Sequence, residues 1–572
     1  MVSISISRFA ALALAVSTLF PCFAQQQAAK DSAQKDNSSN VVTPLLRGLV
    51  FIPDSSKLRA RGIDTAGIIT TGIGVLNRPS FHESMASYLG KPLTFAGLHR
   101  ITSFVVGYYR SHHHPLVNVV VPEQNVEGGV VQIVVTEYRV GSVHVTGNRW
   151  FSSSAIAAPF TLRPGDTINS TRILSDLDEA NANPFRRVNL IYKPDQRSGY
   201  TDLVLQTEDR LPLRFYTGFD NSGTAATGHN RWNAGVVWGN VFGLDQQLSY
   251  RFSSSSDLYQ GSSRFPGAPG GPAFISHTLT WSTPLAVGGT LSIFGDYERT
   301  VPNIGPDLGL VGLNGQASIR YNHSLPRTAR FAESIQTGYD FKTTDNDLAF
   351  GGTSVFATSA EIDQFPVSYS ANLTDDWGIT SSSTTLVYSP GSLTPDNTAA
   401  EFQNASAGYG PGLASNRYLY LREDLSRLTR LPLGAAWSAR IVAQISNASL
   451  LYTEQLVAGG PELLRGYPTN SILGDEGVIV SNELRTPPFL KGMKRSVGRV
   501  QFLGFWDYGS LHAHQATAGY DSNVDASSIG VGMRYRFRRN VSAKFDYGWQ
   551  LRSLPGIPGG GHLANIALVV GN

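Results

Sequence analysis

Residues 528–552 read SIGVGMRYRFRRNVSAKFDYGWQLR, and they decide the fold class. On both sides of a short turn, every second residue is apolar or aromatic, as in two β-strands whose side chains alternate between faces. Each run is about ten residues long, which suits a tilted transmembrane strand, whereas strands of soluble proteins usually have about five or six residues. Aromatic residues stand near the strand ends, where a membrane interface would lie. The stretch therefore predicts membrane-spanning strands rather than the alternative, a large soluble β-sandwich.

The same alternation fills residues 211–572, where the helical signal disappears. Two further examples of its apolar phase are Trp232, Ala234, Val236 and Trp238 in one run and Leu248, Tyr250 and Phe252 in another. At about 22 residues per strand and connection, this region supplies about 16 strands of the kind that bacterial barrels use. We expect a closed, monomeric antiparallel β-barrel in contact with outer-membrane lipid.

The composition agrees with a barrel. Charged residues make up 16% of the chain, against about 25% in ordinary soluble proteins, and the mean hydropathy is −0.11. After the first 24 residues no run of 18 or more apolar residues occurs, so only a closed barrel could span a membrane. A net charge of +3 gives no reason to expect nucleic acid as a partner.

The first 24 residues have the pattern of a secretory signal peptide. Arg8 precedes an apolar run over residues 9–20, and small residues lead to an expected cleavage site after Ala24. Cleavage would remove Cys22, the only cysteine, so we expect no disulfide or thiol chemistry in the mature chain. Residues 25–45 are predicted to form a polar, flexible segment.

Residues 46–138 and 139–210 predict two small α/β modules. In both regions a strand is followed by two helical segments and then by two strands, so one unit is repeated in tandem. An extended stretch between Phe51 and Phe81 has no clear place in the first module.

The loop at residues 459–468, GGPELLRGYP, interrupts the alternation. Its Arg465 requires an anionic partner unless it is simply solvated in an extracellular loop. Residues 505–509, FWDYG, offer one: if Trp506 faces lipid, then Asp507 faces the lumen. Arginine binds carboxylates through two parallel hydrogen bonds, so the two residues are candidates for a pair.

Several motifs in order resemble the TpsB transporters of two-partner secretion, the ShlB/FhaC/HecB family of the Omp85 superfamily. The resemblance covers residue 46 to the C-terminus. It is carried by residues 88–94 (YLGKPLT), 119–124 (VVVPEQ), 143–148 (VHVTGN), 181–188 (NANPFRRV) and 220–223 (DNSG), with the two motifs described above.

The resemblance implies two periplasmic POTRA domains followed by an outer-membrane barrel that exports one TpsA-type exoprotein. It implies that the loop around residues 459–476 folds into the lumen and that its arginine meets the aspartate of the strand motif. The residues carried over are Leu464, Arg465, Gly466 and Tyr467 in the loop and Phe505, Asp507 and Gly509 in the strand. Glu483 and Arg485 share one strand face and are candidates for the same lumenal network.

Two other functions remain open at this point. An Omp85-type assembly factor would more often carry three or five POTRA domains, and a passive porin or a receptor would need no repeated α/β module. No catalytic constellation rises above chance, so we expect no enzyme activity and no cofactor. His112, His113 and His114 are adjacent in an extended segment and would not converge on one metal ion, so no metal site is expected.

Overall fold

The structure, a computed structural model, describes residues 40–572 except 260–269, 286–287, 306–307, 351–352, 407–412, 490–497, 516–520, 555–556 and 558. The expected signal peptide and most of the expected flexible segment lie outside these residues. The chain divides into two compact units, one built mainly from residues up to Glu208 and one containing Asp209–Asn572. None of the helices in the described ranges is long and apolar enough to cross a membrane.

The first module is a four-stranded sheet packed against helices. In chain order its elements are β1 Val41–Thr43, β2 Gly48–Ile52, β3 Gly67–Ile69, α1 Pro79–Ala86, β4 Leu93–Thr94, α2 Phe95–Ser111, β5 Val117–Val120 and β6 Val130–Glu137. The sheet order is β3-β2-β6-β5, and β1 pairs separately with β4. The apolar faces of α1 and α2 bury Phe81, Ile101 and Tyr109 against the sheet.

The second module is smaller. Its elements are β7 Arg139–Thr146, α3 Ser153–Ala157, α4 Ser170–Ala180, β8 Arg186–Pro194 and β9 Tyr200–Asp209, with sheet order β7-β9-β8. Asn169 caps α4 by accepting hydrogen bonds from the backbone N–H groups of Thr171 and Arg172. Its core contains Val140, Leu162 and Leu203.

The two modules are joined closely. Only Tyr138 separates β6 from β7, and Tyr138 and Leu116 pack on the core of the second module. The carbonyl of His113 accepts a 2.9 Å hydrogen bond from the backbone N–H of Ser170 at the start of α4. The histidine cluster thus lies at this junction, where the His112 ring stacks on Tyr108 at 4.1 Å and His114 contacts Tyr109.

One expectation for the modules needs correction, and one stretch that the sequence left unassigned receives a place. The segment expected to be flexible to residue 45 ends earlier, since Val41–Thr43 pair with Thr94 and Leu93. The extended stretch after Phe51 contains β3, which pairs in parallel with Gly48–Val50. Neither strand shows an alternating pattern, because both are only three residues long.

Sixteen antiparallel strands form a closed barrel, as the sequence predicted. They are β10 Leu213–Asp220, β11 Arg231–Val241, β12 Gln246–Ser255, β13 Phe274–Pro284, β14 Thr290–Thr300, β15 Leu308–Ser324, β16 Phe331–Phe350, β17 Thr353–Thr374, β18 Gly378–Ser389, β19 Tyr418–Arg430, β20 Ala436–Ser446, β23 Glu476–Arg485, β24 Arg499–His512, β25 Asn523–Phe537, β26 Val541–Gln550 and β27 His562–Gly571. The first and last strands pair, Phe219 lying opposite Leu568, which closes the sheet.

The alternation predicted for residues 528–552 is present in the side-chain exposures. In β25 and β26, Val531 and Trp549 are exposed on the outer face, whereas Ser528 and Asp546 are fully buried on the inner face. The outer face is therefore the lipid-facing surface and the inner face the polar lumen.

One end of the barrel carries the long connections, which in outer-membrane barrels is the extracellular end. Residues 390–417 form one of these connections and contain α5, Ala399–Ser406. Strands β16 and β17 have 20 and 22 residues, more than the about 9–11 that cross a membrane, so their hairpin continues past the membrane band. The largest connection, residues 447–475, contains the short strands β21 Leu456–Ala458 and β22 Ile472–Gly474.

Candidate functional site in the barrel lumen

The connection between β20 and β23 folds inward as a hairpin. Strands β21 and β22 pair with each other and form its stem, and residues 459–471 form its tip. Leu464 and Tyr467 at the tip are completely buried, in a cluster with inner-face residues such as Ile479 and Ala526. The apolar side chains of the hairpin thus place the polar group of Arg465 against the inner wall.

Arg465 makes a chelate with Asp507 on β24. Its Nε and Nη2 lie 2.8 Å from Asp507 Oδ2 and Oδ1, and its backbone N–H donates to Oδ2 at 2.9 Å. The side chains of Arg465 and Asp507 are 4% and 0% exposed. Two parallel charge-assisted bonds and one backbone bond fix the position and direction of the guanidinium.

The Phe505 ring packs against the guanidinium of this pair. The guanidinium carbon of Arg465 lies 3.7 Å from the centre of the Phe505 ring, a cation–π contact in a shielded site. The ring itself lies over Gly530 on β25, where an added Cβ would stand 2.2 Å from Phe505 Cζ. Gly509, two residues after Asp507, faces the Leu464 side chain.

A wider charge network surrounds the chelate. Arg465 Nη1 lies 2.5 Å from Glu483 Oε1 on β23, and Arg485 binds the other oxygen of Glu483 at 2.5 Å. Arg534 on β25 bridges Glu483 and Asp546. Four basic residues (Arg465, Arg485, Arg534, Lys544) and four acidic residues (Glu462, Glu483, Asp507, Asp546) form the network. The charges balance, and the carboxylates of Asp507 and Asp546 within the network are 0% exposed.

The backbone of the tip approaches strand β26 closely. Gly466 has φ +98°, a region that favours glycine, and a Cβ on Gly548 would lie 2.8 Å from the Gly466 nitrogen. Gln550 donates to the Gly466 carbonyl at 2.7 Å, and the Tyr467 hydroxyl donates to the Arg552 carbonyl at 2.7 Å. Two glycines therefore allow the contact, and polar side chains satisfy the loop backbone.

The root of the loop, residues 447–455, lies on a different part of the wall. Glu454 is 2% exposed, with Oε1 2.5 Å from Lys342 Nζ on β16 and Oε2 3.0 Å from the Tyr420 hydroxyl on β19. The Tyr452 hydroxyl contacts Thr344 and Asn314 at 2.8 Å. The loop is thus held at its root on β15–β19 and at its tip on β23–β26.

The structure brings together all nine residues that the sequence indicated. Sequence reasoning missed Glu462, Arg534, Lys544 and Asp546, and it missed the root contacts of Lys342, Tyr420 and Glu454. Arg534, Lys544 and Asp546 lie in the polar phase of residues 528–552, so the alternation that placed Asp507 in the lumen could have placed them there too. The root contacts had no such signal, since Lys342 and Glu454 are 112 residues apart.

Two family models match the chain. Residues 199–535, more than half of the chain, match the haemolysin secretion/activation protein family ShlB/FhaC/HecB. Residues 63–137, within the first module, match the ShlB-type POTRA domain.

Individual proteins agree. The outer membrane transporter CdiB of Dickeya dadantii (strain 3937) is 22% identical over 82% of this chain and 79% of its own. The heme/hemopexin transporter protein HuxB of Haemophilus influenzae is 22% identical over 78% of this chain and 76% of its own. The structure of CdiB from Escherichia coli has a TM-score of 0.75 at 18% identity, with 95% of this chain and 92% of the other covered. The chain belongs to the ShlB/FhaC/HecB family of outer-membrane secretion transporters, whose POTRA domains are periplasmic.

Proposed function

We propose that this protein exports one large exoprotein, which arrives unfolded in the periplasm, through its barrel to the cell surface. The observation that carries the proposal is the hairpin fixed inside a closed barrel by a buried, charge-balanced network in a chain of this family. Such a network gives a lumenal element one defined position. Arg465 and Asp507 hold the loop in the position in which the barrel works.

The POTRA modules bind the exoprotein by strand addition. The sheet orders leave β5 at one edge of the first sheet and β8 at one edge of the second. An extended segment can pair with such an edge through backbone hydrogen bonds, which do not depend on the side chains of the segment. With nine residues, β8 offers the longer edge of the two.

The transport step needs no nucleotide. Folding of the exoprotein outside the cell withdraws it from the lumen and so drives the transfer. Purified chain in liposomes should therefore translocate a urea-unfolded exoprotein without ATP, and a strict ATP requirement would contradict this part of the proposal.

The proposal is tested by expressing this chain with the candidate exoprotein from a neighbouring gene in a host that lacks both. We expect the exoprotein in the medium only when this chain is present. Equal amounts of exoprotein in the medium with and without the chain would reject the proposal. A loss of many different outer-membrane barrels on deletion of the chain would favour an assembly factor instead.

Strand addition has its own test on β8. The backbone N–H groups of consecutive strand residues point to opposite edges. Of the two variants Asn189→Pro and Leu190→Pro, one therefore loses an N–H on the free edge of β8, and the other loses an N–H that faces β9. We expect the variant that loses the free-edge N–H to keep the module folded, as judged by hydrogen exchange, and to lose exoprotein binding. Unchanged binding by that variant would exclude this edge.

A further inference from the structure

The root of the lumenal loop has a buried ion pair that is separate from the tip network. The Glu454 side chain points from the loop to the barrel wall, where it contacts β16 and β19. These two strands are far from β24–β26. The Glu454 carboxylate is bound by one ammonium, from Lys342, and one neutral phenol, from Tyr420. Within the described ranges Lys342 is the only basic side chain within 4.0 Å of this carboxylate.

The surroundings fix the root segment at the same place. Arg422 Nη2 and Gln444 Nε2 each donate to the Glu454 carbonyl at 3.2 Å. Asp475, at the far end of the connection, accepts from the backbone N–H of Leu450 at 2.7 Å and from Gln455 at 3.1 Å. The two ends of the connection are therefore tied to each other and to the wall.

Apolar packing alone would not define this position. Leu450 and Leu451 are buried against Phe402 of α5 and against the inner faces of β17–β19. Such contacts are non-directional and tolerate sliding. A hydrogen-bonded charge pair that is shielded from water favours one position of the segment, because breaking the pair leaves an uncompensated buried charge.

We propose that Glu454, Lys342 and Tyr420 form a second anchor of the lumenal loop, and that this root anchor gives way before the tip anchor does. The ammonium of lysine is a point charge that can exchange partners, whereas the guanidinium of Arg465 is chelated by Asp507 and shared with Glu483. When the root is released, it no longer covers the inner wall formed by β16–β19, while the tip remains bound to β24–β26. These residues are positioning residues for the proposed transport.

The inference rests on the proposed function for its purpose, but its test needs no exoprotein. Ser449 at the root and Ser471 at the tip each have a hydroxyl that is buried without a hydrogen-bond partner. Cysteine at either position, in a chain in which Cys22 is replaced by serine, reports local opening through its rate of reaction with a thiol reagent. The full chain in detergent micelles is labelled with a small maleimide.

We expect Glu454→Gln or Lys342→Gln to raise the labelling rate of Ser449→Cys by at least about tenfold and to leave that of Ser471→Cys within about twofold. The combined exchange Lys342→Glu and Glu454→Lys should return the root rate toward that of the parent. Asp376→Asn, which removes an exposed carboxylate that pairs with Arg330 away from the loop, is the matched control and should change neither rate.

An unchanged rate at Ser449→Cys in a barrel that still shows heat-dependent migration in gels overturns the proposal. An equal rise at both cysteines also overturns it, because the ion pair would then only support the barrel as a whole. If Glu454→Gln does not assemble, Lys342→Gln decides by the same two rates. Loss of secretion has no part in this test, so failure of the proposed function remains distinguishable.

Discussion

The tip and the root of one loop are held by charges in two different ways. At the tip, one guanidinium meets two carboxylates and stacks on a ring, and the backbone N–H of the same residue adds another bond. At the root, one carboxylate meets one ammonium and one phenol. The difference shows how a single loop can be fixed at one end and releasable at the other, since planar chelation resists exchange and a point-charge contact does not.

The largest effect should come from Arg465→Ala, which removes the tip anchor. Asp507 would remain buried without its partner, at a cost of about 3–5 kcal/mol, whereas Glu483 would keep Arg485 and Arg534. We expect secretion of the exoprotein to fall by at least about 100-fold, while the barrel still assembles and migrates as a heat-modifiable band. Arg465→Lys keeps the charge without the chelate and should give an intermediate loss. Full secretion by Arg465→Ala would remove the reason for treating the tip as the fixed end.

Gly548→Ala tests whether the tip is held by close backbone approach as well as by charge. The added methyl group would stand 2.8 Å from the Gly466 nitrogen and push the tip from β26. A loss of secretion of about tenfold is expected, which corresponds to about 1.4 kcal/mol. Gly504→Ala is the matched control, because its nearest neighbour would be the Gly530 carbonyl oxygen at 3.9 Å. Equal losses in both variants would show that the contact is not specific to the tip.

Arg534→Gln removes a supporting member of the tip network and should have a smaller effect. Its side chain is 25% exposed, and Lys544 also lies 3.8 Å from Asp546, so part of the charge balance survives. A decrease in secretion of about threefold is expected from a loss of about 0.6 kcal/mol. Arg427→Gln, which breaks an ion pair with Asp375 away from the network, serves as control and should leave secretion unchanged. A loss as large as that of Arg465→Ala would mean that the network, not the chelate, fixes the tip.

The smallest effect concerns the junction of the two modules, outside the barrel. Burial lowers the pKa of His114 below its usual 6.5, partly opposed by Glu137, while His112, His113 and Arg78 add to the lowering. A depressed folded-state pKa means that the unfolded chain binds the proton more readily, so stability is present above about pH 6.5 and declines as the pH falls below it. Hydrogen exchange of β6 and β7 in the full chain, corrected for intrinsic rates, should be faster at pH 5.5 than at pH 7.5.

In His114→Gln this pH dependence should largely disappear. The loop in the lumen should show no such dependence in either chain, which separates the junction from both anchors. An identical pH response in the parent and in His114→Gln would assign the effect to another group.

The barrel and the tip could be predicted because their signals are local or periodic. Alternation places Trp506 outside and Asp507 inside without knowledge of any neighbour. The short strands β1 and β3 could not be predicted, since three residues carry no measurable period. The packing of helix α5 and the root contacts depend on which distant strands face each other, and the pairing of Lys342 with Glu454 follows only from the closed barrel.

Backbone conformation explains another part of what the sequence could not tell. Leu464 has φ +61°, in a region that a leucine rarely adopts, and its side chain is completely buried. The pattern GGPELLRGYP predicts a loop but not the direction in which the loop folds. That direction is set by the apolar cluster around Leu464 and Tyr467 and by the glycine at residue 548.

The most direct test of a loop fixed at the tip and released at the root joins each end covalently to the wall. In one variant, Lys342→Cys and Glu454→Cys are joined at the root by a short spacer that reacts with two thiols and can be cleaved by reductant. In the matched variant, Lys544→Cys and Glu462→Cys are joined at the tip in the same way. Exoprotein secretion is measured before and after addition of reductant. We predict that the root link blocks secretion until it is reduced and that the tip link does not. Secretion that continues with the root linked, or that stops with the tip linked, would contradict the account.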